Sequence, residues 1–282
     1  MTLFTVIGNP VGHSLSPQIH HMFAQQFGIE LRYTRSLSSV ARFPRTVSEF
    51  FRHGGGGANV TVPFKQAAYA LCSTYSPRAQ AAAAVNTLQR RANGQLYGDN
   101  TDGLGLVTDL QRQLGQLNGA KVLVLGAGGA TRGVILPLLQ AGVASIIVAN
   151  RTLSRAQQLL QQLMPYLSHG ERQRVAVVAL SDVTTQHCHQ AIIVNATSAG
   201  WHGQSLTLAG VSLRPSIWVY DMNYGATPTP FLQQAEQAGA LGRSDGLGML
   251  VEQAAASFAL WHPGLTPATE EVLGQLRSVL QG

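Results

Sequence analysis

Residues 121–151 read KVLVLGAGGATRGVILPLLQAGVASIIVANR, and this stretch decides the fold. Lys121–Leu125 is a short apolar run rich in β-branched side chains, which is typical of a strand buried on both faces. A glycine-rich turn follows at once, and Val134–Ala141 has the composition of a helix that ends near Gly142. Ser145–Ala149 is a second apolar run. The stretch therefore predicts a βαβ unit with two parallel strands.

The pattern of strands alternating with helices continues to both sides of this unit. Downstream we expect a helix at Ser154–Leu163 and strands at Val175–Ala179, Ala191–Asn195 and Ile217–Tyr220. Such alternation predicts a doubly wound parallel sheet of the Rossmann type. The first hundred residues form a separate α/β pattern, with strands expected at Thr2–Ile7, Arg32–Leu37 and Ala58–Val62. Helices are expected at Pro17–Phe27, Val40–Arg52 and Arg78–Ala84, and the glycine run 54–57 should end the second of them. Asn93-Gly94 indicates a hairpin turn. The tail from Gly248 onward predicts two helices.

These patterns predict two α/β domains. The first comprises residues 1–103 together with 246–282, and the second comprises residues 104–245. Boundaries are expected in the loops near Asp99–Gly103 and Gly242–Gly246, where polar and glycine residues cluster.

The composition narrows the class of protein. Hydrophobic residues make up 45% and charged residues 11%, which excludes a disordered chain. The formal net charge is +6, but the bases are scattered, so we expect no nucleic-acid partner and favour small anionic ligands. Cys72 and Cys188 lack metal-ligand spacing, so we expect reduced thiols and no metal. The start of the chain lacks a signal-peptide pattern, and no apolar run could cross a membrane, so a cytoplasmic location is expected.

The glycine-rich turn predicts a dinucleotide site. Gly126 and Gly128 occupy the first two positions of the G-x-G-x-x-G pattern, and Thr131 occupies the third. NAD-binding sheets usually carry an acidic residue after the second strand, to bind the ribose hydroxyls. This chain has Asn150, Arg151, Thr152 and Arg155 there instead, and a guanidinium pairs with a 2′-phosphate. The cofactor predicted from these residues is NADP.

A second set of polar residues lies outside that site, in short segments that a core does not require. It comprises Ser14, Ser16, Asn59, Thr61, Lys65, Asn86 and Asp102. Asn59 and Thr61 share one face of their predicted strand. Taken singly, each residue has an ordinary alternative: helix caps for the serines and Asp102, a turn residue for Asn86, and a solvated charge for Lys65. Together they suit a small polyhydroxylated anion, with a base and an acid for proton transfer.

The sequence closely resembles the shikimate dehydrogenase family over nearly its whole length. The resemblance rests on segments that occur in order: GNPVGHSLSPQIHH (8–21), GANVTVPFK (57–65), AVNTL (84–88), GDNTDG (98–103), GAGGATRGV (126–134), NRTLSRA (150–156), NATSAG (195–200), YDMNY (220–224) and DGLGMLVEQA (245–254). Jointly these segments are far more specific than the glycine pattern alone.

The resemblance implies a role for each matching residue. Lys65 and Asp102 would be the catalytic pair. The substrate, shikimate or 3-dehydroshikimate, would be held by Ser14, Ser16, Asn59, Thr61, Asn86, Tyr224 and Gln253. NADP would be held by Gly126, Ala127, Gly128, Gly129, Ala130, Asn150, Arg151, Thr152, Arg155, Met222 and Gly246. The implied activity is the NADPH-dependent reduction of 3-dehydroshikimate in aromatic amino-acid biosynthesis. A homodimer is a possible assembly.

Several positions depart from the family's usual pattern. Gln66, Ala67 and Pro77 stand where acidic residues are common, and Asn223 stands where an apolar residue is usual. Trp201–Leu213 shows no regular pattern. Two rival functions remain: a quinate/shikimate dehydrogenase that prefers NAD, and a non-catalytic relative that binds shikimate or a nucleotide.

Overall fold

The computed structural model describes residues 2–197, 211–213, 216 and 218–281. Two predictions fall partly outside the described residues. These are the first residue of the predicted strand Ile217–Tyr220, and residues 201–210 of the irregular stretch Trp201–Leu213. The strands are β1 Thr2–Gly8, β2 Leu31–Leu37, β3 Gly55–Val60, β4 Thr74–Tyr75, β5 Thr87–Arg90, β6 Leu96–Asp99, β7 Lys121–Leu125, β8 Ser145–Asn150, β9 Val175–Ala179, β10 Ala191–Asn195, β11 Trp218–Asp221 and β12 Arg243–Asp245.

The helices are α1 Ser16–Gln26, α2 Phe43–Arg52, α3 Lys65–Leu71, α4 Pro77–Ala82, α5 Asp102–Leu114, α6 Gly129–Gln140, α7 Leu153–Leu163, α8 His169–Arg172, α9 Thr185–Cys188, α10 Pro230–Gln237, α11 Leu247–Trp261 and α12 Thr269–Gln281. Short 3-10 turns lie at Met164–Tyr166 and Leu180–Asp182. Within the described part of the chain, none of these helices has the length and apolar character needed to cross a membrane.

The chain divides into two compact units. Unit 1 comprises Met1–Gly105 with Val251–Gln275, and unit 2 comprises Leu106–Leu250 with Leu276–Gly282. The divisions fall inside α5, α11 and α12, so each of these helices contributes residues to both units.

Unit 1 contains a mixed sheet with the strand order β2-β1-β3-β5-β6-β4. β1 is parallel to β2 and β3, whereas β5 runs antiparallel to β3. β5 is also antiparallel to β6, as the Asn93-Gly94 hairpin signal predicts. One face of the sheet packs on a cluster that includes Phe43, Val47 and Phe64. On α1, the ring of His20 is almost fully buried and stacks on Tyr33 at 4.5 Å between centroids.

The glycine run 54–57 lies mostly within a strand, whereas its composition predicted only a stop between two elements. Gly55, Gly56 and Gly57 are the first residues of β3. A Cβ at Gly55 would lie 2.2 Å from the Phe50 ring, and one at Gly57 would lie 2.3 Å from the Trp261 indole. The glycines are therefore strand residues whose missing side chains let aromatic rings approach the sheet. The same strand ends at Val60, before its predicted end, and leaves Val62 exposed.

Unit 2 contains a fully parallel sheet with the strand order β12-β11-β10-β7-β8-β9. The chain enters at the central strand β7, moves outward to β9, and then returns to fill the other side from β10 to β12. This is the order of the doubly wound dinucleotide-binding fold. Strands β7 and β10 are buried almost throughout, as their continuous apolar runs predict. The predicted fold class, two α/β units of which one is Rossmann-like, is confirmed.

Candidate active site

Lys65 and Asp102 are in direct contact in unit 1. The Lys65 ammonium Nζ donates to Asp102 Oδ2 at 2.6 Å, and the two side chains are 32% and 12% exposed. Lys65 is the first residue of α3 and follows the buried Phe64, which anchors that end of the helix. Asp102 is the first residue of α5, where its N–H donates to Asn100 Oδ1 at 3.2 Å. The first residues of α3 and α5, which are 37 positions apart in the sequence, thus bring an ammonium and a carboxylate into contact.

The second oxygen of the Asp102 carboxylate is held by Asn86. The Asn86 amide nitrogen donates to Asp102 Oδ1 at 2.8 Å and to Gln253 Oε1 at 3.2 Å. Asn86 Oδ1 in turn accepts from the Thr101 N–H at 2.9 Å. Each carboxylate oxygen of Asp102 therefore has its own donor, which fixes the plane of the group and leaves Lys65 on one side of it.

Asn59 belongs to a buried chain of polar groups that continues from Asn86. Its Oδ1 accepts from the Tyr33 hydroxyl at 2.6 Å, and its amide nitrogen donates to Thr87 Oγ1 at 3.2 Å and Ser257 Oγ at 3.0 Å. Thr87 and Ser257 are fully buried and bond to each other at 2.7 Å. The network determines which way the Asn59 amide faces, because its oxygen and nitrogen sides have different partners.

Sequence reasoning missed four members of this network: Tyr33, Thr87, Thr101 and Ser257. Thr87 and Thr101 adjoin Asn86 and Asp102 in the sequence, so their position was an available signal. Tyr33 and Ser257 lie on β2 and α11, and nothing local distinguishes them from ordinary strand and helix residues.

Ser14 and Ser16 form a compact turn at the start of α1. Ser14 Oγ donates to Ser16 Oγ at 3.1 Å and accepts from the Ser16 N–H at 3.3 Å. Ser16 is the first residue of the eleven-residue helix α1. Two hydroxyls beside the positive end of a helix dipole suit an anionic group. Thr61 lies just after β3, where its N–H donates to the Ile7 carbonyl, and its side chain is half-buried.

The glycine turn of unit 2 joins β7 to α6. Gly126 has φ +104°, a conformation that favours glycine, and its carbonyl accepts from the Thr131 hydroxyl at 2.8 Å. Thr131, which occupies the third position of the pattern, therefore braces the turn with its side chain. Gly128, Gly129 and Ala130 are exposed at the start of α6, where backbone N–H groups have no partner inside the helix. A pyrophosphate fits such a turn.

The residues after β8 present two cations. Asn150 accepts from the Ala127 N–H at 3.1 Å and donates to the Thr152 carbonyl at 2.8 Å, so it ties this loop to the glycine turn. Arg151 and Arg155 are exposed, and no ion pair among the described residues involves either guanidinium. Guanidinium groups beside a pyrophosphate turn suit the 2′-phosphate of NADP.

The loops after β10 and β11 are tied together at the same edge of this sheet. Asp221 is fully buried, and its Oδ1 accepts from Asn195 and Asn223, while burial raises the pKa of its carboxyl group. The Met222 N–H donates to the Asn195 carbonyl at 2.9 Å. A Cβ at Gly246 would lie 2.1 Å from the Met222 carbonyl oxygen, so this position accepts only glycine. Asn223, which departs from the family pattern, braces these loops through its polar side chain.

The predicted site residues thus fall into two groups. Unit 1 holds Ser14, Ser16, Asn59, Thr61, Lys65, Asn86, Asp102 and Gln253, and unit 2 holds Gly126–Ala130, Asn150–Arg155, Met222, Tyr224 and Gly246. The structure joins Lys65, Asn86, Asp102 and Gln253 by hydrogen bonds. Tyr224, which the resemblance assigns to the substrate, belongs to unit 2.

A Rossmann-type sheet with a pyrophosphate turn, accompanied by a separate unit that carries a lysine–aspartate pair, defines a nucleotide-dependent oxidoreductase. Family models agree: residues 6–88 match the shikimate dehydrogenase substrate binding domain, 109–202 match shikimate / quinate 5-dehydrogenase, and 246–277 match the shikimate 5'-dehydrogenase C-terminal domain. The chain belongs to the shikimate dehydrogenase family.

Individual relatives cover the whole chain. Proteins from Cellvibrio japonicus and Shewanella halifaxensis, both named shikimate dehydrogenase (NADP(+)), are each 45% identical over 99% of this chain and 98% and 96% of their own. The crystal structure of shikimate 5-dehydrogenase from Thermus thermophilus, in complex with NADP(H) and shikimate, is 33% identical. It has a TM-score of 0.83 over 99% of this chain and 100% of that one. The predicted family and enzyme class are confirmed, and these relatives agree with NADP as the predicted cofactor.

Proposed function

We propose that this chain catalyses the NADP-dependent interconversion of shikimate and 3-dehydroshikimate, in the reductive direction within aromatic amino-acid biosynthesis. The observation that carries the proposal is the 2.6 Å contact between Lys65 Nζ and Asp102 Oδ2, in a side-chain environment that is partly open to solvent. Unit 1, nearly all of which lies in the predicted domain 1–103 with 246–282, would bind the substrate. Unit 2, most of which lies in the predicted domain 104–245, would bind NADP through Gly126–Ala130, Arg151 and Arg155.

NADPH supplies a hydride to the C3 carbonyl carbon when it is bound. The protein's part is to handle the charge and the proton at the C3 oxygen. Lys65 is a cation that stabilises the developing alkoxide and gives it a proton. Asp102 orients the ammonium through Oδ2 and is itself held by Asn86 through Oδ1. The alcohol forms when the Lys65 proton reaches the oxygen, and in oxidation the same proton returns to the lysine.

The remaining residues of unit 1 would position the substrate. Ser14 and Ser16 offer hydroxyls at a helix start, which suits the carboxylate. Asn59, Thr61, Asn86 and Gln253 supply amide and hydroxyl groups for the ring hydroxyls, and the family resemblance adds Tyr224 to the substrate residues. A homodimer and a cytoplasmic location stay predictions.

One assay separates the candidate functions. Shikimate and quinate are each offered with NADP and with NAD, and the reduced nicotinamide is followed by its near-ultraviolet absorbance. We expect oxidation of shikimate with NADP to have the highest kcat/KM. A preference for NAD would overturn the role given to Arg151, and a preference for quinate would favour the quinate/shikimate dehydrogenase. Binding of shikimate without turnover would identify a non-catalytic relative.

A further inference from the structure

Arg35 holds the serine turn of unit 1 from a neighbouring strand. It lies on β2 opposite Val6 of β1, and its Nε and Nη2 both donate to the Ser14 carbonyl oxygen, at 2.9 and 2.6 Å. A guanidinium presents these two N–H groups in a rigid fork, so the carbonyl oxygen is fixed in direction as well as distance. Neither the site residues predicted from the sequence nor the family resemblance includes Arg35.

The Ser14 backbone in turn determines where both serine hydroxyls lie. The Ser14 N–H donates to the Val11 carbonyl at 3.1 Å, and Ser14 Oγ bonds to both the N–H and the hydroxyl of Ser16. Ser16 is only 6% exposed and has little freedom of its own. Moving the Ser14 carbonyl would therefore displace the whole turn, including the hydroxyl of Ser16.

Arg35 also brings a positive charge to this turn. Among the described residues, no ion pair involves Arg35, whereas the Lys65 charge is paired with Asp102. The Arg35 residue is exposed, but salt screens its charge only in part over the short distance to the turn. The turn that carries the serine hydroxyls thus has a full cation on its Ser14 carbonyl and the positive end of α1 at Ser16, which favours an anionic ligand over a neutral one.

We propose that Arg35 is a positioning residue that sets the preference of the Ser14–Ser16 turn for a carboxylate-bearing substrate. It does so by fixing the turn through the Ser14 carbonyl and by placing a positive charge on the turn that carries the two hydroxyls. This inference rests on the proposed function, because it assumes that the turn holds the shikimate carboxylate.

The test compares shikimate with its uncharged methyl ester in three variants. Arg35→Gln removes the charge, and Arg35→Lys keeps the charge but loses the fork. Arg32→Gln is the matched control: it removes one exposed charge from β2, three residues earlier and so on the opposite face of the sheet. KM and kcat are measured for both compounds at saturating NADP, with the ester measured as a competitive inhibitor if it turns over slowly. Circular dichroism and melting temperature verify folding.

We expect Arg35→Gln to raise KM for shikimate about three- to tenfold, and to weaken the ester by a smaller factor, because the ester loses the positioning of the turn but not the attraction of a charge. kcat should stay within about twofold because the reacting carbon contacts other residues. Arg35→Lys should keep most of the preference for shikimate over the ester, and Arg32→Gln all of it.

Two results would overturn the inference. If Arg35→Gln weakens shikimate and the ester equally, Arg35 supports the turn but does not select for charge. If the variant leaves both constants unchanged, Arg35 has no part in binding. Failure of the proposed function would look different, since the unsubstituted protein would then not oxidise shikimate at all.

Discussion

Lys65 is the single side chain on which the proposed chemistry depends most directly. We expect Lys65→Ala to lower kcat for shikimate oxidation by about 10²–10⁴-fold, the usual contribution of positioned acid–base catalysis, with little change in KM. The exposed neighbour on the same helix gives a control, Gln66→Ala, which should leave both constants unchanged. A near-normal kcat in Lys65→Ala would contradict the assigned role.

Arg151 tests the choice of cofactor. Its guanidinium is exposed after β8 and lacks an acidic neighbour in the sequence, so Arg151→Ala should raise KM for NADP about tenfold or more and leave KM for NAD nearly unchanged. Lys121→Gln is the control, because it removes one exposed charge at the start of β7, at the opposite end of that strand from the glycine turn. Equal effects on both cofactors would show that Arg151 does not read the 2′-phosphate.

His20 makes the stability of unit 1 depend on pH. Burial is the largest of the effects on the pKa of its ring, which falls from 6.5 to about 3. The unfolded chain therefore binds a proton below about pH 6.5 that the folded protein excludes. Protonation of His20 in the unfolded chain therefore lowers the free energy of unfolding by about 2 kcal/mol when the pH falls from about 8 to about 5.

The variant His20→Phe should remove that loss, because a phenyl ring keeps the stacking on Tyr33 and cannot be protonated. Urea unfolding at pH 8 and at pH 5 measures the free energy of unfolding of each variant. Tryptophan fluorescence can report the transition, because the centroid of the Trp261 ring lies 5.2 Å from that of His20. His189→Gln, at an exposed histidine, should retain the full loss. An equal pH dependence in His20→Phe and the unsubstituted protein would show that His20 is not responsible.

Among the elements, β3 and α12 offer a clear contrast between two glycines. Gly57→Ala should destabilise the protein by about 1–3 kcal/mol, because the added methyl group would overlap the Trp261 indole. Gly274→Ala should stabilise it by about 0.5–1 kcal/mol, because Gly274 lies within α12 with open space around the added carbon. Thermal unfolding measures both, and a Gly57→Ala variant as stable as its parent would refute the packing argument.

Strand β3 also shows what the sequence could and could not predict about the elements. Runs such as Lys121–Leu125 were predictable because continuous apolar residues report burial on both faces locally. The glycine run 54–57 was not, because its packing partner Trp261 is far away in the sequence. The site divides in the same way. Family resemblance selected Lys65 and Asp102, but the hydrogen bonds that link Asn59 to Ser257 depend on the tertiary fold.

For the whole molecule, α12 is the last element, and its closing residues belong to unit 2. Arg277 donates to both oxygens of the buried Asp245, at 2.7 and 2.6 Å, which ties α12 to β12. Arg277→Met should destabilise the protein by about 2–3 kcal/mol, because it leaves a buried carboxylate unpaired. Arg243→Met, which breaks the exposed pair with Glu236, should cost less than about 1 kcal/mol. If the two variants lose the same free energy of unfolding in urea, the burial of Asp245 does not determine how much its ion pair contributes to stability.

The Lys65–Asp102 contact has a practical consequence for chemical probing of this molecule. The chain has two lysines, Lys65 and Lys121, so a Lys121→Arg protein carries one ε-amine besides its α-amine. An acylating reagent would then mark a single side chain, and mass spectrometry of the intact chain could count the modification directly. The Lys65 side chain is 32% exposed, so the reagent can reach it, and a ligand seated over the ammonium should slow the labelling.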